Sequence, residues 1–251
     1  MRYLVLSDIH SNIEALTSVL VDARRQGFDS TVVLGDIVGY GASPNEVIDL
    51  VRGLEPAAVV RGNHDKAAAG ITEGESFNDV ARLAALWTRD VLTRENLAYL
   101  RGLAVGPIDA GGFLLSHGSP LDEEEYILGD LDASQAFEVS DFELAFFGHT
   151  HFACCFTWSD GRSNLRMGAA GTARPGGADS IELVPGTRYL VNPGSIGQPR
   201  DHNPRAAYAI YDSGARRLYS RRVTYDVLGA AERIEAAGLP EVLGQRLVLG
   251  I

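Results

Sequence analysis

The chain has 251 residues, 45% of them hydrophobic and 22% charged, with a formal net charge of −11 at pH 7. This length and composition are ordinary for a globular protein with a sizeable core, and we expect one domain over residues 1–251. The acidic balance disfavours binding to a nucleic-acid backbone, which requires a basic surface. The apolar runs are too short for a signal peptide or a membrane span, so we expect a cytoplasmic protein without membrane association.

The first third of the chain alternates apolar runs with amphipathic stretches. Short apolar runs that end at a glycine or a polar turn predict strands, and apolar residues at helical spacing predict helices. Such alternation predicts a mostly parallel sheet covered by helices. The predicted elements are a strand at 2–7, a helix from a cap at Ser11 or Asn12 to about Arg25, a strand at 31–34, a helix from Pro44 and a strand at 57–60.

The rest of the chain becomes β-rich after two further helices, at 77–92 and 95–100. Residues 105–116 predict a hairpin, because two apolar runs flank an Ala-Gly-Gly turn. Residues 161–186 are rich in Gly, Ala, Ser and Pro and predict a mobile loop or an irregular hairpin. Strands are predicted at 144–147, 152–157 and 188–191, a hairpin at 206–223 and a helix at 227–237. The buried stripe of the helix at 77–92 is predicted to be Ala81, Leu83, Ala84, Trp87 and Val91.

Polar side chains with metal-binding chemistry follow most of the predicted strands. Five of the six histidines lie there, and burying an unpaired imidazole costs free energy, so the pattern indicates a site rather than packing. In extended backbone, Asp8-x-His10 and His149-x-His151 would each present both side chains to one centre. His64 beside Asp65 can form a pair in which the carboxylate orients the imidazole. The residues concerned are Asp8, His10, Asp36, Asn63, His64, Asp65, His117, His149 and His151.

The number and type of these donors indicate two metal ions. A single catalytic ion takes about four protein ligands or fewer, with an open position for water. Two ions roughly 3.5–4 Å apart, sharing a carboxylate, are the arrangement used for in-line displacement at phosphorus. Imidazole and carboxylate without thiolate suit divalent or trivalent manganese, iron, zinc or nickel, which are the cofactors we expect. The seven candidate ligands are Asp8, His10, Asp36, Asn63, His117, His149 and His151.

The same motifs, in the same order, carry a resemblance to a known family. The chain resembles the calcineurin-like metallophosphoesterases in Asp8-x-His10, Gly35-Asp36, Gly62-Asn63-His64-Asp65, His117 and Gly148-His149-Thr150-His151. Residues 192–200 resemble an additional motif of the smaller bacterial and archaeal members, which are phosphodiesterases or relatives of diadenosine tetraphosphate hydrolases. The resemblance implies an α/β fold, a four-layer α/β/β/α sandwich of two mixed sheets flanked by helices, with the metals where the sheets meet.

The resemblance also implies which candidate residues bind each metal and which do not bind metal. One metal would be held by Asp8, His10, Asp36 and His151. The second would be held by Asp36, Asn63, His117 and His149, so that Asp36 bridges the two. His64 would then be free of metal and act as a general acid or phosphate contact, with Asp65 orienting it.

The function implied by these motifs is hydrolysis of phosphate esters or anhydrides by a metal-bound hydroxide. The substrate would be a small phosphorylated molecule, with a nucleotide among the candidates. In the family that the chain resembles, protein serine/threonine phosphatases and symmetric dinucleotide hydrolases usually carry Arg-Gly after the second motif. Here Asp36 is followed by Ile37-Val38, which disfavours the protein-phosphatase alternative. A non-catalytic protein-binding scaffold on the same fold is a second alternative, but it predicts lost ligands, and this chain keeps them. Assembly as a homo-oligomer is compatible with all of these functions.

Each candidate for a substrate contact also has a structural interpretation. Arg61, Arg200 or Arg205 can supply a cation for the phosphate, or each can be a structural or surface arginine. Tyr40 can stack on a base or pack locally. The acidic run 122–125 predicts a solvated turn or the start of a helix.

Overall fold

The computed structural model describes residues 1–159, 161–167 and 178–251. No helix in these ranges is long and apolar enough to cross a bilayer. The strands are β1 (Arg2–Leu6), β2 (Ser30–Val33), β3 (Ala58–Val59), β4 (Ile108–Asp109), β5 (Leu114–Leu115), β6 (Leu144–Phe146), β7 (Cys154–Ser159), β8 (Arg162–Met167), β9 (Ala178–Glu182), β10 (Arg188–Asn192), β11 (Ala206–Asp212) and β12 (Arg217–Val223). The helices are α1 (Ile13–Gln26), α2 (Pro44–Gly53), α3 (Asn63–Ala68), α4 (Asp79–Val91), α5 (Arg94–Arg101), α6 (Asp130–Val139), α7 (Val227–Ala236) and α8 (Glu241–Leu249).

The strands form two mixed sheets of six strands each. The first has the order β3-β2-β1-β11-β12-β9, and the second has the order β4-β5-β6-β10-β7-β8. In the first sheet β1, β2 and β3 run parallel and β11 runs antiparallel to β1. In the second sheet β5, β6 and β10 run parallel. The carboxyl ends of the parallel strands within each sheet therefore lie at one edge, which is where ligand-binding loops collect in such sheets.

Apolar faces on both sides of each sheet produce the four layers. Val5 and Val32 of the first sheet face Phe146 and Val191 of the second in one inter-sheet core. The outer face of the first sheet packs on α1, α2 and α5, and the outer face of the second packs on α6. Strands buried on both faces need continuous apolar runs, and the predicted strands have them. The expected α/β/β/α sandwich is confirmed.

Three helices were not evident from the sequence. Helix α3 begins inside the 62–65 motif, α6 buries only Ala133, Ala136 and Phe137, and α8 follows Pro240 near the end of the chain. The predicted buried stripe of α4 is wrong in part, because Leu83 is 50% and Val91 40% exposed. Its buried residues are Ala81, Ala84, Ala85 and Thr88. Ala81 and Ala84 pack in one cluster with residues of α7 and α8, and α4 also lies against α3.

Residues 161–186, predicted as a mobile loop or an irregular hairpin, contain two strands. Strand β8 pairs antiparallel with β7, and β9 pairs antiparallel with β12. Neither alternative describes 162–167 and 178–182, because these two strands pair with β7 and β12 in different sheets and not with each other. Ladder hydrogen bonds there order a sequence of low hydrophobicity. The part of the prediction that covers 168–177 lies outside the described residues.

The inter-sheet core predicts a large stability effect at Phe146. Its ring is fully buried and contacts the rings of Phe113, at 5.6 Å, and Tyr211, at 5.9 Å between centroids. We expect Phe146→Ala to lower the free energy of unfolding by about 3–5 kcal/mol, measured by urea denaturation, because it leaves a cavity between the sheets. Leu131→Ala, at a side chain that is 88% exposed, should change it by less than about 0.5 kcal/mol. Equal effects from the two variants would contradict this core assignment.

Candidate metal centre

The loops that follow β1, β2 and β6 hold their polar residues in an unusual backbone conformation. Asp8, His10, Asp36, His149 and His151 all have positive φ, between 48° and 64°. Left-handed backbone is uncommon for non-glycine residues and costs of order 1–3 kcal/mol at each position. The two i, i+2 pairs do face one centre, but the extended backbone that was expected for them is wrong. Tight left-handed turns bring the side chains inward instead.

The first group of candidate ligands joins the loops after β1, β2 and β6. His10 Nε2 lies 3.5 Å from Asp36 Oδ2 and 3.1 Å from His151 Nε2. His151 Nε2 lies 3.4 Å from Asp8 Oδ1. All four residues are buried, and one ligand atom from each lies within 4.8 Å of the others. This arrangement can surround one cation.

The second group contains Asp36 again. Asp36 Oδ2 lies 3.3 Å from His117 Nε2, which lies 3.2 Å from Asn63 Oδ1. The His149 ring is 4.9 Å from the His117 ring, and ligand atoms of Asp36, His117 and His149 lie within 4.8 Å of one another. The structure thus brings together all seven predicted ligands, with the Asp36 carboxylate common to both groups.

Hydrogen bonds at the back of each imidazole fix which nitrogen faces the centre. A carbonyl oxygen only accepts, so the nitrogen bonded to it carries the hydrogen, and a neutral ring then presents a lone pair at its other nitrogen. His10 Nε2 and His151 Nε2 therefore face each other as two acceptors, which a cation between them would stabilise. The donor set fits two transition-metal ions. The bonds are His10 Nδ1 to Val38 O (3.1 Å), His117 Nδ1 to Leu34 O (2.8 Å), His151 Nδ1 to Gln198 O (2.6 Å) and His149 Nε2 to Glu124 O (3.1 Å).

Burial and neighbouring charges shift the protonation of the same groups. Burial raises the pKa of Asp8 to about 6 and lowers the pKa of His149 to about 3. Burial alone would lower the pKa of His117, but the adjacent Asp36 carboxylate raises it to about 10. Burial would likewise raise the pKa of Asp36, but the His117, His64 and His10 rings together hold this pKa well below its usual range. The buried Asp36 carboxylate therefore favours a positive charge beside it.

The geometry at His64 and Asp65 corrects one expectation. The Asp65 carboxylate accepts hydrogen bonds from Gly62 N–H, at 2.9 Å, and Val38 N–H, at 3.1 Å. Nothing in the described part of the chain hydrogen-bonds to His64 Nδ1, so the predicted orientation by Asp65 is wrong. Because α3 begins at Asn63, Asp65 reaches back to the helix start as a capping residue. Burial raises the pKa of Asp65 to about 7.

Aromatic rings hold the His64 imidazole instead. Its centroid lies 4.3 Å from that of Tyr40 and 4.5 Å from that of Phe77. Its backbone N–H donates to Asp36 Oδ1 at 2.9 Å, which fixes His64 beside the shared carboxylate. Burial lowers the pKa of His64 to about 4. Phe77 was not predicted to contribute to the site, and nothing local in the sequence indicates it.

The predicted substrate-binding residues separate into two places. Tyr40 is buried against His10 and His64, and its hydroxyl lies 3.3 Å from Arg200 Nη2. Arg61, in contrast, forms a two-pronged ion pair with Glu123, at 3.0 and 2.9 Å. The acidic run 122–125 does form a turn with Asp122 and Glu125 exposed, as one of the two predictions had it, but Glu123 is largely buried in this ion pair. Arg205 Nε donates to Asn203 Oδ1 at 3.0 Å.

Residues of the 192–200 motif hydrogen-bond to the backbone of the loops that carry the candidate ligands. Asn192 Nδ2 donates to Gly148 O at 2.7 Å, and Ser195 Oγ donates to Asp8 O at 2.8 Å. A Cβ on Gly197 would lie 1.9 Å from Ile9 O, so only glycine fits there. The motif therefore fixes the turns that carry Asp8 and His149.

Comparisons with known proteins identify the family and the fold. The chain matches the calcineurin-like phosphoesterase superfamily domain over residues 1–215. An uncharacterized protein of Methanocaldococcus jannaschii is 39% identical over 251 residues, covering 98% of this chain and 97% of that protein. The crystal structure of a metallophosphoesterase from Sphaerobacter thermophilus is 38% identical, with a TM-score of 0.87 and coverage of 100% and 99%. A hypothetical protein from Pyrococcus horikoshii shares the fold at 23% identity, with a TM-score of 0.75 and coverage of 100% and 98%.

The shared carboxylate predicts that one substitution removes both metals. We expect Asp36→Asn to lose both Mn²⁺ equivalents that the wild type retains after desalting, because the amide removes the charge that both groups use. Inductively coupled plasma mass spectrometry measures the stoichiometry. Asp49→Asn, at an exposed helix position, is the matched control and should keep two ions. Wild-type stoichiometry in Asp36→Asn would contradict the shared role.

Proposed function

We propose that this chain, which belongs to the calcineurin-like phosphoesterase superfamily, is a metal-dependent hydrolase of phosphate esters or anhydrides. One observation carries the proposal. The Asp36 carboxylate is common to two buried groups of imidazole and carboxylate donors, and His64, which belongs to neither group, lies directly beside it. Two cations with a shared carboxylate suit displacement at phosphorus, and an adjacent imidazole suits proton transfer.

The metal ligands follow from the two groups. Asp8, His10, Asp36 and His151 would hold one ion, and Asp36, Asn63, His117 and His149 the other. Manganese, iron, zinc and nickel all suit these donors. When bound, such ions neutralise phosphate charge and lower the pKa of the attacking water.

His64 and Asp65 have roles other than metal binding. His64 contacts the substrate and either stabilises charge on a phosphate oxygen or gives a proton to the leaving oxygen. Asp65 acts through the backbone, because its bonds to Gly62 N–H and Val38 N–H fix the start of α3 and hence the positions of Asn63 and His64.

Arg200 is the proposed cation for the substrate phosphate. Its Nη2 contacts Tyr40 Oη at 3.3 Å and Gln198 Oε1 at 3.1 Å, and its buried Nε has no hydrogen-bond partner in the described structure. Its charge acts on Asp8 and on the His10, His64 and His151 rings, which places it near the centre. Tyr40 is 7% exposed, so we assign it to orienting Arg200 and packing on His64 rather than to stacking on a base. Arg61 is already paired with Glu123 and is the weaker candidate.

Within this reaction class we favour a phosphodiesterase or a nucleotide-anhydride hydrolase over a phosphoprotein phosphatase. Ile37 and Val38 are fully buried where those phosphatases carry Arg-Gly, so no second cation enters from that loop. The test compares kcat/KM for an aryl phosphate monoester, an aryl phosphate diester, diadenosine tetraphosphate and a phosphopeptide on one Mn²⁺-loaded preparation. The diester or the dinucleotide should be the best substrate. A preparation that holds two ions and hydrolyses none of the four would favour the protein-binding scaffold.

His64 provides a sharp mutational test of the reaction. We expect His64→Gln to lower kcat by roughly 10²- to 10⁴-fold, because a group that transfers a proton or stabilises charge is lost. Metal stoichiometry by elemental analysis should stay at two, because His64 belongs to neither ligand group. His202→Gln, at an exposed histidine, is the control. Full turnover in His64→Gln would remove His64 from the mechanism.

Arg200 is tested through substrate affinity. We expect Arg200→Ala to lower kcat/KM by about 10- to 100-fold, since a charge-assisted hydrogen bond to phosphate is worth about 1.5–3 kcal/mol. Arg200→Lys keeps the charge and should recover part of the loss. Arg52→Ala removes an arginine that pairs with exposed Glu95 and should leave kcat/KM unchanged. The assignment fails if Arg200→Ala behaves like Arg52→Ala.

A further inference from the structure

The loop 118–126, which follows His117, folds back on itself. Gly118 N–H donates to Glu123 O at 3.0 Å, and Ser119 N–H donates to Glu125 O at 3.1 Å. Ser119 Oγ accepts from Leu121 N–H and Asp122 N–H at 3.0 and 3.2 Å. These bonds make the loop a compact unit whose position depends on what holds it to the rest of the protein.

An ion-pair cluster attaches this loop to the 62–65 motif. Glu123 accepts from Arg61 Nε at 3.0 Å, Arg61 Nη2 at 2.9 Å and Lys66 Nζ at 2.8 Å. Lys66 also pairs with Glu124. The side chains of Arg61, Lys66 and Glu123 are 18%, 12% and 16% exposed. Arg61 and Lys66 flank the motif that carries Asn63 and His64, so the cluster joins the loop to the second ligand group.

The other end of the loop contacts His149. The Glu124 carbonyl accepts from His149 Nε2 at 3.1 Å, and the Tyr126 ring stacks on the imidazole with centroids 3.8 Å apart. The bond to Glu124 leaves the Nδ1 lone pair of His149 for a cation. Each of the other three ligand histidines is held by its Nδ1 to a carbonyl near a strand end or in the 192–200 motif. His149 is the one held by the 118–126 loop.

We infer that Glu123 is a positioning residue for the second metal ion and acts through His149. The Arg61–Glu123–Lys66 cluster holds the 118–126 loop against the centre, and the loop fixes the tautomer and ring plane of His149. The inference rests on the proposed dinuclear centre. It gives Arg61 a role in metal binding in place of the substrate contact predicted for it.

The chemistry of the cluster explains why one carboxylate matters. A two-pronged arginine–carboxylate pair is geometrically specific, and removing one partner of a largely buried pair leaves uncompensated charge. Residues that orient a metal ligand typically change metal affinity by about 10- to 100-fold when they are lost. Loss of Glu123 should therefore lower the metal affinity of the second ligand group, which contains His149, more than that of the first.

The test is calorimetric titration of the metal-free full-length protein with Mn²⁺. The wild type should bind two ions. Glu123→Gln should bind the first with unchanged affinity and the second about tenfold or more weakly. Glu95→Gln, which removes an exposed arginine partner, should match the wild type. In a His149→Ala background, adding Glu123→Gln should cause no further loss.

The outcomes separate the two proposals. A wild type that binds fewer than two ions overturns the dinuclear centre and this inference with it. A wild type with two ions and a folded Glu123→Gln that also binds two with wild-type affinity overturns only the role of Glu123. Equal weakening of both ions, or further loss in the His149→Ala background, would show a general structural effect and would also overturn it. Glu123→Asp, which keeps the charge on a shorter side chain, serves if Glu123→Gln does not fold.

Discussion

The carboxylate of Asp36 is the constraint on which the rest of the site depends. It is buried between the two sheets, and one oxygen, Oδ2, lies within 3.5 Å of both His10 Nε2 and His117 Nε2. The other oxygen accepts the His64 N–H. A Cβ at position 62 would lie 2.0 Å from Asp36 Oδ1, so the turn between β3 and α3 requires glycine there. The strand ends, the helix start and the glycine of the 62–65 motif are thus all arranged around one side chain.

Holding such a group inside the protein has a conformational cost. Five candidate ligands adopt left-handed backbone, and His10 and His151 present two acceptor nitrogens to each other. The compensation is a continuous set of backbone hydrogen bonds, such as His10 N–H to Asp36 O at 2.9 Å and Gly197 N–H to Asp8 O at 2.9 Å. Backbone strain of this kind persists only where surrounding contacts hold the backbone in place, and it is typical of functional sites. These hydrogen bonds hold the turns that carry the donors.

Much of the fold could be predicted because its signals are local. Apolar runs that end at a glycine or an acid identified the parallel strands, and polar residues at strand exits identified the residues that the structure brings together. The start of α3 at Asn63 was missed because Asn-His-Asp reads as the end of a strand. That error led to the wrong role for Asp65, since a residue at the third position of a helix turns back to its start.

Other features could not be predicted because their causes are distant in the chain. Glu123 is held by Arg61, 62 residues away, and His64 is held by Phe77 and Tyr40 across a turn and a helix. An acidic run on its own predicts solvent exposure. Glu123 is largely buried because Arg61 and Lys66, which are distant in the chain, pair with it. Strand β8 likewise depends on its ladder with β7 rather than on its own hydrophobicity.

Anomalous diffraction from crystals of the Mn²⁺-loaded protein tests the central claim most directly. The account predicts two manganese peaks about 3.5–4 Å apart, with the Asp36 carboxylate between them and His64 bound to neither. A single peak, or two peaks of which only one contacts Asp36, would contradict it.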